Sequence, residues 1–253
     1  MTWERLVRYA RIALRLLFVP KCVVCEERMP PDSEMVLCPI CRTKYENEKT
    51  QTCPTCAARM GECLCLPKRM EHRGIKRMAK LFPYEPERCE TSARVIYALK
   101  HHNLRLLHLF LGKELAEPLR GILEEGDFIV TYPPRSRYGV RHDGFDHAEE
   151  LSRALAKELG LPHVRTLSRK RHRVQKRLSH TERLEAAAAT YALRRGVDLS
   201  GKRVILVDDV CTSGATLIAA ARLLRSAGAQ EVVCATLALT PQKAQMKPRP
   251  RNF

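Results

Sequence analysis

The hydrophobic and polar positions of this chain change period as it runs. Val204-Ile-Leu-Val207 is an unbroken apolar run, the pattern of a parallel strand buried on both faces, and it leads directly into Asp208 and Asp209, which stand where that strand is expected to end. The alanine- and leucine-rich stretch Leu217–Ala227 has helical composition. Glu231–Leu239 is a second buried strand, Asp127–Pro134 a third stopped by two prolines, and Ala79–Tyr84 the first of the set. Between them, Val95–Leu99 reads as a helix ending in the cations Lys100, His101 and His102. Arg105–Leu119 reads as a helix ending near Pro118, and Glu149–Leu159 as one closed by Gly160. His163–Leu167 is a short strand and Leu184–Ala189 an alanine-rich helix. This alternation predicts an α/β fold, a parallel sheet with helices on both faces.

Before the first strand the pattern differs. Trp3, Leu6, Val7, Ala10, Leu14 and Leu17 recur at helical spacing, so residues 1–20 are expected to form an amphipathic helix packed on the body of the protein. A helix lying on a membrane surface is the alternative. Arg11 and Arg15 interrupt the apolar run, which disfavours a signal peptide. The sequence has no transmembrane run, so a cytoplasmic protein without stable membrane insertion is expected.

The strand-end chemistry is the most informative. Thr212-Ser213-Gly214-Ala215-Thr216 follows the two carboxylates and precedes a helix. A helix N-terminus offers free N–H groups and a positive dipole end, which suit a phosphate, and ligands of open α/β sheets bind beyond the carboxyl ends of the strands. Gly214 lets the backbone approach closely, the hydroxyls of Thr212, Ser213 and Thr216 add donors, and carboxylates accept from neighbouring hydroxyls. A 5-phosphorylated ribose has these features. The plain alternative is a strand–turn–helix whose polar residues are caps.

Eight of the eleven cysteines fall between Cys22 and Cys65. Cys22, Cys25, Cys38 and Cys41 form two Cys-x2-Cys pairs, a strong four-sulfur zinc signature. Cys53 and Cys56 form a third pair, completed by the tighter Cys63-x-Cys65, and a second zinc is expected there. Interleaved pairing and a disulfide framework are the alternatives. All-thiolate coordination leaves no open position, so both zincs are expected to be structural. Cys89 and Cys234 read as small core or surface residues, Cys211 as a neutral filler of the polar loop, and His101, His102 and His108 as surface or cap residues.

A length of 253 residues fits one substantial domain and a small one. The expected division is helix 1–20, zinc ribbons 21–67, α/β domain 77–241, and a basic disordered tail 242–253. Net charge +17 favours phosphate-rich partners, small molecules or nucleic acid. Cations concentrate in the connector Lys68–Lys80 and in Arg169–Arg183, where seven Lys or Arg stand against one Glu. A single Trp makes stacking platforms sparse, which disfavours sequence-specific nucleic-acid readout.

The run Val204–Thr216 resembles the 5-phosphoribosyl-1-pyrophosphate (PRPP) signature of type I phosphoribosyltransferases. With the preceding helix and double zinc ribbon, the whole chain resembles the ComF family of competence-associated proteins. The family's Arg-x-Arg-Gly-Phe-Asn-Gln pattern is met by Arg141, Gly144 and Phe145, while Asp143, Asp146 and His147 depart from it. Gln175, Leu178, Ser179 and Arg183 meet a later pattern. The resemblance implies PRPP bound with Mg²⁺ through Asp208, Asp209, Val210, Cys211, Thr212, Ser213, Gly214, Ala215 and Thr216, with Asp208 and Asp209 as the catalytic carboxylates. It implies Arg135, Arg137 and Arg141 facing the pyrophosphate, and Arg169–Arg183 as a closing loop; a solvated basic hairpin is the alternative. The acidic base of 6-oxopurine transferases would fall at Thr212, which disfavours that reaction. The resemblance also implies a role in DNA uptake or nucleotide metabolism, with single-stranded DNA and the uptake machinery as partners. The rival reading is a non-catalytic, nucleic-acid-binding zinc protein whose PRPP pocket is a sensor or a relic.

Overall fold

The computed structural model describes residues 5, 9, 19–30, 33–170 and 190–241. The expected N-terminal helix, nearly all of the Arg169–Arg183 segment, the helix Leu184–Ala189 and the tail 242–253 lie outside the described residues. A parallel sheet carries the fold, in the order β1 (Met78–Pro83), β6 (Glu231–Leu239), β5 (Arg203–Cys211) and β2 (Phe128–Thr131). Val204–Val207 are fully buried, and Leu206 pairs with Cys234 and Thr131 across the two neighbouring strands.

Alternation along β5 sends successive side chains to opposite faces. Ile205 and Val207 enter a core shared with α3 (Glu90–His101), α4 (Arg105–Arg120) and α6 (His147–Leu159). Val204 and Leu206 enter a second core with Leu217, Ala220 and Leu224 of α7 (Ala215–Ser226). The architecture is a parallel sheet with helices on both faces, preceded by two four-cysteine modules.

Each ribbon joins a different core. The first, with helix α1 (Pro39–Lys49), shares the α3/α4 core: Tyr45 is fully buried, its ring 5.0 Å from Phe82 and 5.3 Å from Phe110. The second shares the α7 core through Cys53, Met60, Cys63 and Met70, the last carried on the short helix α2 (Lys68–Glu71). The knuckles Cys22–Cys25 and Cys53–Cys56 have the same backbone form. Each is bracketed by one antiparallel bridge (Lys21–Arg28, Thr52–Arg59) and followed by a left-handed residue (Glu26, φ 60°; Ala57, φ 61°).

Several expectations need correction. β5 continues through Asp208 and Asp209 to Cys211, and α7 begins at Ala215, so the polar loop is only Thr212–Gly214. Residues 135–147 hold a helix, α5 (Arg137–Asp143), which the sequence reading does not include; Ser136 caps its start by accepting from Gly139 N–H at 3.0 Å, and Gly144 at φ 79° closes it. His163 makes a single bridge to Val130, and regular pairing starts later, where β3 (Leu167–Arg169) runs antiparallel to β4 (Tyr191–Leu193). Pro118 lies inside α4, which runs on to Arg120. The connector's cations are not all at the surface. Lys80 is 1% exposed and donates to the Cys63 and Cys65 carbonyls (2.6 and 2.8 Å), while Arg77 is tied to Glu231 and Glu124. Among the described residues no helix is long and apolar enough to cross a membrane.

The first ribbon also orders α3. The Glu48 carboxylate accepts the Thr91 and Ser92 N–H groups (2.9 and 2.7 Å), capping a helix whose own N-cap residue, Cys89, supplies no side-chain bond. Glu48→Ala is therefore expected to cost about 1–2 kcal/mol, as loss of a helix cap does. Urea unfolding at neutral pH measures it, and Glu48→Gln should recover part of the loss.

Candidate functional site

The polar loop and the acidic pair meet at the carboxyl end of β5. Gly214, at φ 74°, is the N-cap of α7 and offers no side chain to the first-turn N–H groups, which no intrahelical partner can satisfy. Ser213 Oγ accepts one of them, from Ala215, at 3.4 Å. A Cβ on Gly214 would lie 2.8 Å from Met70 Cγ, so the second ribbon's outgoing helix packs directly against the loop. Cys211 is buried and donates its S–H toward Met70 Sδ at 3.7 Å, with its thiol pushed up to about 12 by burial first and by Asp208 next. That is the neutral filler expected. Tyr191 of β4 lies beside Thr216 in the first turn of α7; burial first, and then the charges of Asp208 and Asp146, push its hydroxyl up.

The two carboxylates have different partners. Asp209 is 7% exposed. Its Oδ1 accepts Val210 N–H at 2.7 Å, while Oδ2 lies 3.0 Å from Lys100 Nζ and 3.3 Å from His147 Nε2. Burial works to raise the Asp209 carboxyl, but His147 and Lys100 beside it outweigh that and hold the group well below the usual carboxylate range. Asp208 is partly exposed and its Oδ1 accepts Asp209 N–H at 3.0 Å. The surrounding protein and then the Asp209 charge push its carboxyl well above that range. The two carboxyls are thus pushed in opposite directions, Asp209 toward the anion and Asp208 toward the acid.

Of the expected pyrophosphate cations, Arg135 lies at the base of the site. Its N–H donates to Asp146 Oδ2 at 2.8 Å, its guanidinium pairs with Asp143 at 2.7 Å, and its Nη1 is buried without a hydrogen-bond partner. Arg137 and Arg141 stand exposed one turn apart on α5. The three residues that depart from the family pattern each have a contact. Asp143 holds Arg135, and its carboxyl is drawn down to about 2 by His142 and Arg135. Asp146 caps α6 by accepting from Ala148 and Glu149 N–H. His147, the next residue, reaches Asp209.

Sequence reasoning missed Lys100, Tyr191 and Met70, whose partners are distant along the chain. It also placed His108 at the surface or a helix cap, whereas His108 is buried, with its ring 5.9 Å from Phe145 and His147 beside it.

Both cysteine sets are assembled without interleaving. In each of the groups Cys22/Cys25/Cys38/Cys41 and Cys53/Cys56/Cys63/Cys65 the sulfurs lie within 4.8 Å of one another. Tetrahedral coordination at about 2.3 Å places sulfurs about 3.8 Å apart; Cys25–Cys38 are at 3.7 Å and Cys56–Cys63 at 3.6 Å. Against the opposing effect of burial, backbone N–H bonds draw Cys22 down to about 7 and Cys53 to about 6. Burial and the neighbouring thiols push Cys65 up to about 12. Four sulfurs at this spacing suit a single tetrahedral cation.

The phosphoribosyl transferase domain family matches residues 139–250. Competence protein ComFC of Streptococcus pneumoniae is 25% identical over 228 residues, covering 84% of this chain and 96% of that protein. A ribose-phosphate pyrophosphokinase of Pyrococcus furiosus is 30% identical over 148 residues; the match covers 55% of this chain and 43% of the kinase, less than half its length. A solved structure of glutamine phosphoribosylpyrophosphate (PRPP) amidotransferase from B. subtilis aligns with a TM-score of 0.36 at 24% identity, over 56% of this chain and 30% of that one.

Two outcomes are expected. Gly214→Ala adds a Cβ at a positive φ and against Met70, and should destabilise by roughly 1–3 kcal/mol. A Met70→Ala partner should relieve only the packing share, which a double-mutant cycle by urea unfolding measures. His108 is held down to about 4, by burial first and then by His147. The unfolded chain takes up that proton near pH 6.5, so the stability His108 contributes is complete above that pH and is lost as pH falls toward 4. The total is about 3 kcal/mol. In His108→Phe the difference in stability between pH 7 and pH 4.5 should shrink by most of that amount.

Proposed function

We propose that the chain, similar to ComFC over most of its length and matched by the phosphoribosyl transferase domain family, is a ComF-family protein in which the carboxyl end of β5 binds PRPP as its magnesium complex. The observation that carries the proposal is the left-handed Gly214, set between the acidic end of a buried strand and the open first turn of α7. The 5-phosphate takes the N–H groups of that turn and the hydroxyls of Thr212, Ser213 and Thr216, with Cys211 and Val210 shaping the loop from below. The acidic pair Asp208–Asp209 receives the ribose hydroxyls. Magnesium comes with the substrate and neutralises the pyrophosphate, alongside Arg135, Arg137 and Arg141.

The chemistry this supports is pentosyl transfer. An acceptor nucleophile attacks the ribose carbon that bears pyrophosphate, through an oxocarbenium-like transition state that nearby carboxylates stabilise. Thr212, standing where 6-oxopurine transferases carry an acidic base, argues against hypoxanthine or guanine as acceptor. The similarity to a protein named for competence supports a cytoplasmic role in DNA uptake, and the pyrophosphokinase similarity supports nucleotide metabolism. In this reading 21–67 is a zinc-folded module and 77–241 the ligand-binding domain. Each cysteine group holds one structural zinc, since four thiolates leave no position for substrate or water.

The rival reading, a nucleic-acid-binding zinc protein with a relic or sensor pocket, draws on the net charge of +17. Burial of Lys80 and the pairing of Arg77 remove two cations from the surface it would use.

Isothermal titration of the purified protein with PRPP and Mg²⁺ tests the site. Saturable binding is expected, weakened at least about tenfold in Asp208→Ala, or about 1.4 kcal/mol. A folded, metal-loaded protein that binds no PRPP would sink the proposal, and salt-sensitive binding of single-stranded DNA would then favour the rival. Metal analysis should give two zinc ions per chain, and chelation should unfold residues 21–67 as read by hydrogen exchange.

A further inference from the structure

At the end of β5 two adjacent carboxylates stand in a site whose walls are mostly protein. Like charges so placed cannot both ionise without counter-charge, and which one ionises decides which can serve a ligand. Both counter-groups for Asp209 come from outside the polar loop. Lys100 lies in the last turn of α3, 3.0 Å from Asp209 Oδ2, and His147 in the first turn of α6, 3.3 Å from the same oxygen. Neither approach is accidental to its helix. Glu48 caps the start of α3, and Asp146 caps α6 at the residue immediately before His147. Asp208 also feels Lys100, but more weakly than it feels Asp209, and on its other side it faces Tyr191, Cys211 and Cys234 in the α7 half of the sheet.

We propose that Lys100 and His147 are positioning residues: acting together on one oxygen, they hold the Asp209 carboxylate as a fixed anion and leave Asp208 as the carboxylate that meets the ribose. The inference rests on the reading of this site as a PRPP site and deepens it by dividing the work within the pair. Asp209 Oδ1 accepts Val210 N–H, and its buried Oδ2 lies at ion-pair distance from Lys100 and His147 without an aligned hydrogen bond, so the carboxylate faces its counter-charges and sets the local potential. The groups that set its charge are Lys100 from α3, His147 from α6 with His108 of α4 behind it, and Asp208 on β5 itself. Gln, which the family pattern has at the position of His147, supplies an N–H donor without a charge. His147 and Lys100 therefore differ in kind: the imidazole orients the carboxylate, and the ammonium balances it.

The test measures PRPP·Mg²⁺ dissociation constants between pH 6 and 9 for the parent chain, Lys100→Met, Lys100→Arg, His147→Gln and His147→Phe. Among the described residues, Lys100→Met removes the one Lys or Arg paired with Asp209. It should weaken binding at least tenfold at pH 7 and shift the pH dependence upward by half a unit or more, because the acidic pair then keeps its proton to higher pH. Lys100→Arg and His147→Gln should stay within threefold of the parent, whereas His147→Phe should not. A merely structural role would lower the melting temperature without moving the pH dependence. The inference is overturned if Lys100→Met binds within threefold of the parent with an unshifted pH profile, or if Lys100→Arg loses as much as Lys100→Met. Failure of the parent chain itself to bind PRPP is a different result, which counts against the proposed function.

Discussion

Burying the end of a strand that carries two consecutive carboxylates is costly, and much of this structure meets that cost. β5 is covered on both faces, so Asp208 and Asp209 emerge where water is scarce and their mutual repulsion is strong. The compensation comes from α3 and α6, whose termini are aimed at Asp209. The α6 terminus is itself capped by Asp146, the residue before His147, while Glu48 of the first ribbon caps the other end of α3, away from Lys100. The cysteine-rich module thus supports α3 as a whole, and α3 carries Lys100 to the candidate site.

The two ribbons serve the sheet differently. The first buries Tyr45 against Phe82 and Phe110 and ties itself to α4 through Arg42 and Lys49, both on Glu114. The second reaches the loop more directly. Lys80, deep in β1, donates to the carbonyls of Cys63 and Cys65, and Met70 packs beneath Gly214. A buried ammonium beside a four-thiolate group is also electrostatically sensible, because such a group keeps net negative charge after it takes up a divalent ion.

What was legible in the sequence follows from the range of the interactions. Buried parallel strands need continuous apolar runs, so β6 and the apolar half of β5 could be read from the sequence, while the carboxylates that continue β5 to Cys211 broke the pattern. Chelation by Cys-x2-Cys is local, so both cysteine groups could be read from spacing, although only the folded chain excludes interleaving. The helix Arg137–Asp143 was hidden because it buries none of its own residues, even though Ser136 and Gly144 mark its ends as cap residues do. Lys100 looked like an ordinary cation at a helix C-terminus. Its carboxylate lies on a strand far along the chain, and no spacing rule connects them. His147 stood out as a departure from a pattern, but its role needed the third dimension.

The central claim is a division of labour at the end of β5, with the phosphate on the loop, the ribose on Asp208, and Asp209 held by Lys100 and His147. A crystal structure of the protein with PRPP and Mg²⁺ tests it most directly. The account predicts the 5-phosphate on the N–H groups of residues 213–217, a ribose hydroxyl on Asp208, and Asp209 still within hydrogen-bond distance of both Lys100 and His147. A ligand bound away from Gly214, or Asp209 released from Lys100 to take the ribose while Asp208 stays apart, would contradict it.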